Sequence, residues 1–219
     1  SIFNEDAIIK KIKTKNDYTD EFYEKFLDQI LPNLPDDKFI LATTNNPAKV
    51  EEIDIILWKK ILMQNPNTIF LFTTYYSHET ERNILKYFGE ELKDRIFFIK
   101  FIDKSEHLVR LRCIDCILDS CCYGAHTTTG DILWSGTPIV TLCGDNMESR
   151  VCSSMLNAAD LKELITYSKE EYINLVTKLI NDKNYFNSIK IKVEDCRDSK
   201  LFDREYYVKN ICNLFNKVY

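Results

Sequence analysis

The sequence predicts an α/β protein built on a parallel sheet with helices on both faces. Five short apolar runs lead to that reading: FILAT (39–43), IFLFTT (69–74), IFFIKF (96–101), CILD (116–119) and PIVTL (138–142). They recur at intervals of roughly 20 to 30 residues, which leaves room for a helix between neighbours. The gaps hold helical patterns, such as residues 50–63 and 80–92. Strands covered on both faces read as continuous apolar runs rather than alternating ones, and these runs do. Finally, the chemically interesting polar residues fall in segments 44–49, 102–110 and 120–131, just past predicted strand ends. Open parallel sheets bind ligands there.

Residues 1–35 are charged and helix-patterned, with an apolar stripe through Phe22, Phe26, Leu27, Ile30 and Leu31, and end at Pro32 and Pro35. They are expected to form a helical connector packed on the main unit, residues 36–219. After Asn157 the pattern is mostly helical, as if wrapping back over the sheet. His78 is expected on an exposed turn. The chain starts at a serine, which suggests a piece of a longer protein.

Net charge is −5, with 29 basic residues scattered among 34 acidic ones, so no basic field argues for nucleic acid. No apolar run is long enough to span a bilayer, so no membrane partner is expected. Among eight cysteines, Cys113 and Cys116 form a CxxC without a second well-spaced pair, which favours buried free thiols over a metal or redox site. GxGxxG after the first strand, a Walker lysine, HExxH and a Ser nucleophile elbow are all absent.

The most informative stretch is YGAHTTTGDILWSGTPIVTL, residues 123–142. Four of the five glycines (Gly124, Gly130, Gly136 and Gly144) lie in or just beyond it, which points to unusual backbone angles or close approaches. His126 and the threonines Thr127, Thr128 and Thr129 sit where a helix should start. They either cap that helix or, with its free N–H groups, form an anion site suited to phosphate. Lys104, His107 and Arg110 are spaced to share one helical face, and Lys49 follows the first strand. Together these residues suit a nucleoside diphosphate. N–H groups, hydroxyls and Lys49 would hold phosphates, Asp131 would accept from a ribose hydroxyl, and His107 and Arg110 would face a base.

GAHTTTGDILWSGTPIVTLCGDNMESRV resembles the donor-binding motif of the nucleocytoplasmic protein O-GlcNAc transferases. LPDDKFILATTNNPAKVEEID is similar to that family's first strand and pyrophosphate-lysine loop. IFFIKFIDKSEHLVRLRCIDCILDS resembles its Lys-x-x-His-x-x-Arg segment, and SKLFDREYYVKNI its closing helix. The resemblance covers about residues 33–219. It implies the C-terminal, Rossmann-like donor lobe of a GT-B glycosyltransferase that moves GlcNAc from UDP-GlcNAc to Ser/Thr of cytoplasmic or nuclear proteins, without metal or other cofactor. It implies catalytic roles for Lys49, neutralising the leaving diphosphate, and for His126. Asn46, His126, Thr127 and Thr128 would contact the pyrophosphate, Lys104 and Asp131 the ribose, and His107, Arg110 and the backbone of Ile102 the uracil. Tyr123 would lie near the sugar's N-acetyl group.

Three departures stand out: Asn46 replaces a glutamine, Cys143 a proline and Tyr123 a small residue. Spindly-type protein O-fucosyltransferases, which use GDP-fucose, are similar at Tyr123. They lack the motif histidine and the Lys-x-x-His segment, so His126 and His107 favour UDP-GlcNAc. A non-catalytic Rossmann-like module is the remaining alternative. The family's acceptor-side lobe and tetratricopeptide repeats do not occur in these 219 residues, so the chain alone is expected to bind nucleotide weakly and transfer nothing.

Overall fold

The computed structural model describes residues 34–35, 37–74 and 78–218. The expected helical connector, residues 1–35, lies outside the described residues except for Leu34 and Pro35.

Among the described residues six strands form one parallel sheet: β1 (Phe39–Thr43), β2 (Thr68–Thr74), β3 (Ile96–Lys100), β4 (Cys116–Leu118), β5 (Ile139–Leu142) and β6 (Ile165–Thr166). Their spatial order is β3-β2-β1-β4-β5-β6. β1 pairs with β2 on one side, with Leu41 opposite Phe70, and with β4 on the other, with Leu41 opposite Cys116. The chain therefore builds outward from β1 in one direction, then returns and builds outward in the other. Right-handed crossovers running in opposite directions put their helices on opposite faces. Their loops part between β1 and β4, which opens a crevice at the carboxyl end of the sheet.

The helices among the described residues are α1 (Glu52–Gln64), α2 (His78–Phe88), α3 (Lys104–Arg112), α4 (Thr127–Trp134), α5 (Val151–Ala158), α6 (Lys169–Asn181), α7 (Lys183–Asp195) and α8 (Arg204–Val218). Expected strand positions hold to within a residue at either end. β6 was missed, because two residues are too short to register as an apolar run. The expected helix 80–92 ends instead at Phe88. Gly89 takes φ of 88° and the chain continues as a 3₁₀ turn, Glu90–Arg95. His78 is exposed but opens α2 rather than lying on a turn.

β2 is buried along its whole length, as covering on both faces requires. On one side Trp58 of α1 packs on Phe70 and Phe72 of β2, with ring centroids 5.2 and 6.0 Å apart, and Phe88 of α2 closes the cluster 5.9 Å from Phe70. Tyr172 of α6 is also fully buried. Trp58 Nε1 donates to its hydroxyl at 3.2 Å, and the hydroxyl donates to the Asp119 carbonyl at 3.1 Å. The aromatic core is thus tied directly to the end of β4.

Candidate functional site

The loop after β4 is organised by one buried carboxylate. Asp119, 1% exposed, accepts at Oδ1 from Ala125 N–H (2.7 Å), Ser120 N–H (3.0 Å) and Asn45 Nδ2 (3.1 Å). At Oδ2 it accepts from Thr141 Oγ1 of β5 at 2.7 Å. Asn45 lies after β1, and its amide also donates to Ser120 Oγ at 2.6 Å. One side chain therefore fixes the loops after β1 and β4 relative to each other and to β5. Burial pushes the Asp119 carboxyl up from the usual range, while hydrogen bonds from Thr141, Ala125, Asn45 and Cys152 pull it back down. Asp54, in the first turn of α1, adds a second tie by accepting Cys121 N–H at 2.7 Å.

Gly124 is a close-approach glycine: a Cβ there would lie 2.9 Å from Asp119 Oδ2. Of the four clustered glycines only Gly136 takes a positive φ, 78°. Gly130 meets only ordinary contact, so its position demands nothing unusual.

Beyond the strand ends lies a cavity of about 410 Å³, a size usual for small-molecule sites. Of the residues anticipated from the sequence, Asn46, Lys49, Ile102, Lys104, His107, Arg110, Thr128 and Asp131 line it. Tyr123, His126 and Thr127 do not. Sequence reasoning overlooked Thr44, Asn45, Thr73, Phe101 and Asp103 in its wall, as well as Asp119 behind it. The overlooked signal was a charged residue closing an apolar strand run, CILD.

Each wall has its own local cause. Asn46 Oδ1 accepts Ala48 N–H at 3.0 Å and caps the 3₁₀ turn Pro47–Lys49, which aims Lys49 over the crevice. Burial pulls the Lys49 ammonium below its usual pKa, and the Asp119 charge partly offsets this. Its Nζ lies 4.1 Å from the centroid of the Tyr123 ring, and that ring stacks on His126 at 5.1 Å and 21°. Tyr123 and His126 thus adjoin the cavity through Lys49. His126 Nε2 lies 3.2 Å from the Glu148 carbonyl, which only accepts, so Nε2 carries a proton.

No side chain caps α4. Thr129 turns inward and donates to the Ala125 carbonyl at 2.7 Å, while Thr128 faces the cavity. The N-terminus of α4 therefore presents N–H groups and a hydroxyl, the arrangement that favours an anion. Across from it, Lys104 Nζ meets Asp131 Oδ1 at 3.0 Å. Lys104 is largely solvent-facing and Asp131 only partly so, and a pair with one exposed partner contributes little stability, so a polar ligand can exchange for the lysine at small cost. Arg110 departs from expectation. It lines the cavity, yet it is 1% exposed and directs its guanidinium to the Lys100 carbonyl (2.7 Å) and to His107 Nδ1 (3.1 Å). Arg110 Nε and the hydroxyl of Thr44 are buried without a hydrogen-bond partner among the described residues.

Among the described residues no group of three or more His, Cys, Asp or Glu side chains is placed to hold a metal ion. None of the eight cysteines, all of them among the described residues, is joined in a disulfide. Burial of Cys113, Cys116, Cys152 and Cys196 agrees with expectation, whereas Cys122 and Cys212 are exposed. Among the described residues no helix is long and apolar enough to cross a membrane.

A six-stranded parallel Rossmann-like sheet with a polar crevice at its switch point is the architecture of the nucleotide-binding lobe in GT-B glycosyltransferases. A point mutant of the Thermobaculum terrenum O-GlcNAc transferase superposes with a TM-score of 0.72 at 23% identity, over 83% of this chain and 38% of that one. The glycosyl transferase family 41 pattern matches residues 25–211, and the chain belongs to that family. A Caenorhabditis elegans UDP-N-acetylglucosamine–peptide N-acetylglucosaminyltransferase is 33% identical over 85% of this chain. A probable Arabidopsis thaliana counterpart, SEC, is 30% identical over 92% of it. Proteins named SPINDLY match more weakly, at 22–24% identity. The chain spans only 16% and 22% of the lengths of the C. elegans protein and of SEC.

Proposed function

We propose that the cavity binds the nucleoside diphosphate of UDP-GlcNAc, and that the chain is the donor lobe of a protein that transfers GlcNAc to Ser/Thr of cytoplasmic or nuclear proteins. One observation carries this reading. Loops from three strands bring Lys49, the α4 N-terminus with Thr128, and the Lys104–Asp131 pair around one cavity at the sheet's switch point. Cationic and N–H groups at one end suit a diphosphate, the carboxylate–ammonium pair suits ribose hydroxyls, and His107 stands where a base would lie. The family membership supports the same donor.

In transfer, negative charge builds on the leaving diphosphate. Lys49 and the α4 N-terminus are preset to meet that charge, which is how electrostatic preorganisation lowers a barrier. They supply without a metal ion what a bound cation would supply. Chelator-treated protein should therefore transfer at an unchanged rate, and loss of transfer restored by added Mg²⁺ or Mn²⁺ would refute this part. Acceptor recognition belongs to the remainder of the whole protein.

The test is transfer to a Ser-containing peptide by the whole protein carrying Lys49→Ala or Asp131→Ala. Lys49→Ala should lower kcat by about 100-fold or more, the size of a lost charge-stabilising donor. Asp131→Ala should act mainly by raising the donor KM. Unchanged transfer in both variants would leave the fold as packing only and overturn the proposal.

A further inference from the structure

Lys49 is a cation held by a ring rather than by a carboxylate. Its Nζ lies 4.1 Å from the centroid of the Tyr123 ring, and among the described residues no carboxylate lies within ion-pair distance of it. An aromatic face attracts an ammonium without neutralising it, so the charge stays available to an incoming anion. A carboxylate in that place would compete with the anion and have to be displaced first.

The ring that holds the ammonium is itself fixed. Ser120 Oγ donates to the Tyr123 carbonyl at 2.8 Å, and the next N–H, that of Gly124, donates to the Glu148 carbonyl at 3.1 Å. His126, on which the ring stacks at 5.1 Å and 21°, meets the same Glu148 carbonyl through Nε2 at 3.2 Å. The loops after β4 and β5 thus secure both the backbone of Tyr123 and the ring it stacks on. Lys49 lines the cavity and Tyr123 does not, so the aromatic ring backs the ammonium without filling the space a ligand would take.

We propose that Tyr123 is a positioning residue: its ring holds the Lys49 ammonium at the cavity wall, ordered and still charged, before a diphosphate arrives. The proposal rests on the nucleotide reading above. A lysine stem is long and flexible, and ordering it at the moment of binding costs affinity. A ring that orders it beforehand removes part of that cost. The role also gives a use to Tyr123, one of the three departures from the family pattern. It differs from contact with the donor's sugar, because it operates on a nucleotide that carries no sugar.

The experiment combines UDP titration of the full 219-residue chain with carbon-13 NMR of the lysine ε-methylenes in the absence of nucleotide. The proteins are wild type, Tyr123→Phe, Tyr123→Leu, Lys49→Met and the Lys49→Met/Tyr123→Leu double variant. The signal lost in Lys49→Met identifies Lys49. In wild type the ring current should move its ε-methylene protons upfield of their position in Tyr123→Leu. Tyr123→Leu, which keeps apolar bulk without an aromatic face, should bind UDP about fivefold more weakly. Tyr123→Phe should restore both the shift and the affinity to within about twofold, since the ring face and not the hydroxyl does the holding. On the Lys49→Met background Tyr123→Leu should change UDP affinity by less than about 1.5-fold, because a residue that acts through Lys49 has nothing left to act on.

An undiminished fivefold loss on the Lys49→Met background overturns the proposal, as does a Lys49 signal that does not move between wild type and Tyr123→Leu. Equal UDP affinity of those two proteins overturns it as well. Tyr123 is 40% exposed, and Tyr123→Ala takes the place of Tyr123→Leu if the leucine variant fails to fold. A folded wild type that shows the ring-current shift but binds no UDP would overturn the nucleotide reading and leave the hold on Lys49 standing; absence of both would overturn the two together.

Discussion

The aromatic core under α1 and the polar knot at the carboxyl end of β4 are joined through Tyr172, yet they are held by different forces. In the core, Trp58, Phe70, Phe72 and Phe88 are buried apolar rings whose attraction depends on area rather than direction. In the knot, Asp119 gathers four donors whose geometry fixes where two loops run. The difference teaches where a substitution is felt. Damage to the core should lower stability and leave the site's shape intact in the molecules that remain folded. Damage to the knot should cost less stability and more affinity.

The largest expected effect is in the core. Trp58→Ala should destabilise the chain by about 3–5 kcal/mol in denaturant titration, with nucleotide affinity of the folded fraction unchanged. A large drop in affinity at full folding would erase the distinction.

Next comes acid sensitivity. The folded pKa of His107, about 4, lies below its ordinary 6.5, so the unfolded chain binds the extra proton between these values. Stability therefore falls as pH drops from 6.5 towards 4. Compared with His107→Gln, wild type should lose up to roughly 3 kcal/mol across that window. Parallel stability–pH curves for the two proteins would show that the ring is not held neutral.

Asp119→Asn should cost about 2 kcal/mol, because an amide nitrogen would then face groups that themselves donate. UDP affinity should fall by about tenfold as the loops after β1 and β4 lose their common anchor. If affinity stays constant while stability drops, the knot is only another piece of core. The smallest effect is at Tyr123. Removing its ring with Tyr123→Ala should shift UDP affinity by about 1 kcal/mol through Lys49, and Tyr123→Phe should leave it unchanged. A larger change with Phe than with Ala would point to the hydroxyl instead of the ring.

Much of the fold was legible because buried parallel strands need continuous apolar runs, and the five longer strands have them. β6 has two residues and depends on its neighbours rather than on its own pattern. Eight anticipated residues do line the cavity, since loops beyond parallel strand ends converge whatever their sequence. What stayed hidden was the allocation of donors and acceptors. Spacing places Arg110 on the same face as His107 but does not reveal that its guanidinium turns to the Lys100 carbonyl. Nor does a lone Asp after CIL reveal itself as an acceptor for four groups from three parts of the chain. Tyr123 was expected near the sugar, and its contact with Lys49 follows from loop geometry that no local pattern encodes.

The most direct measurement is calorimetric titration of the purified chain with UDP and, separately, GDP. Weak but saturable binding of UDP, tighter than that of GDP, is the result expected of a uridine-diphosphate donor lobe. Preference for GDP, or no binding of either by a chain shown to be folded, would contradict it.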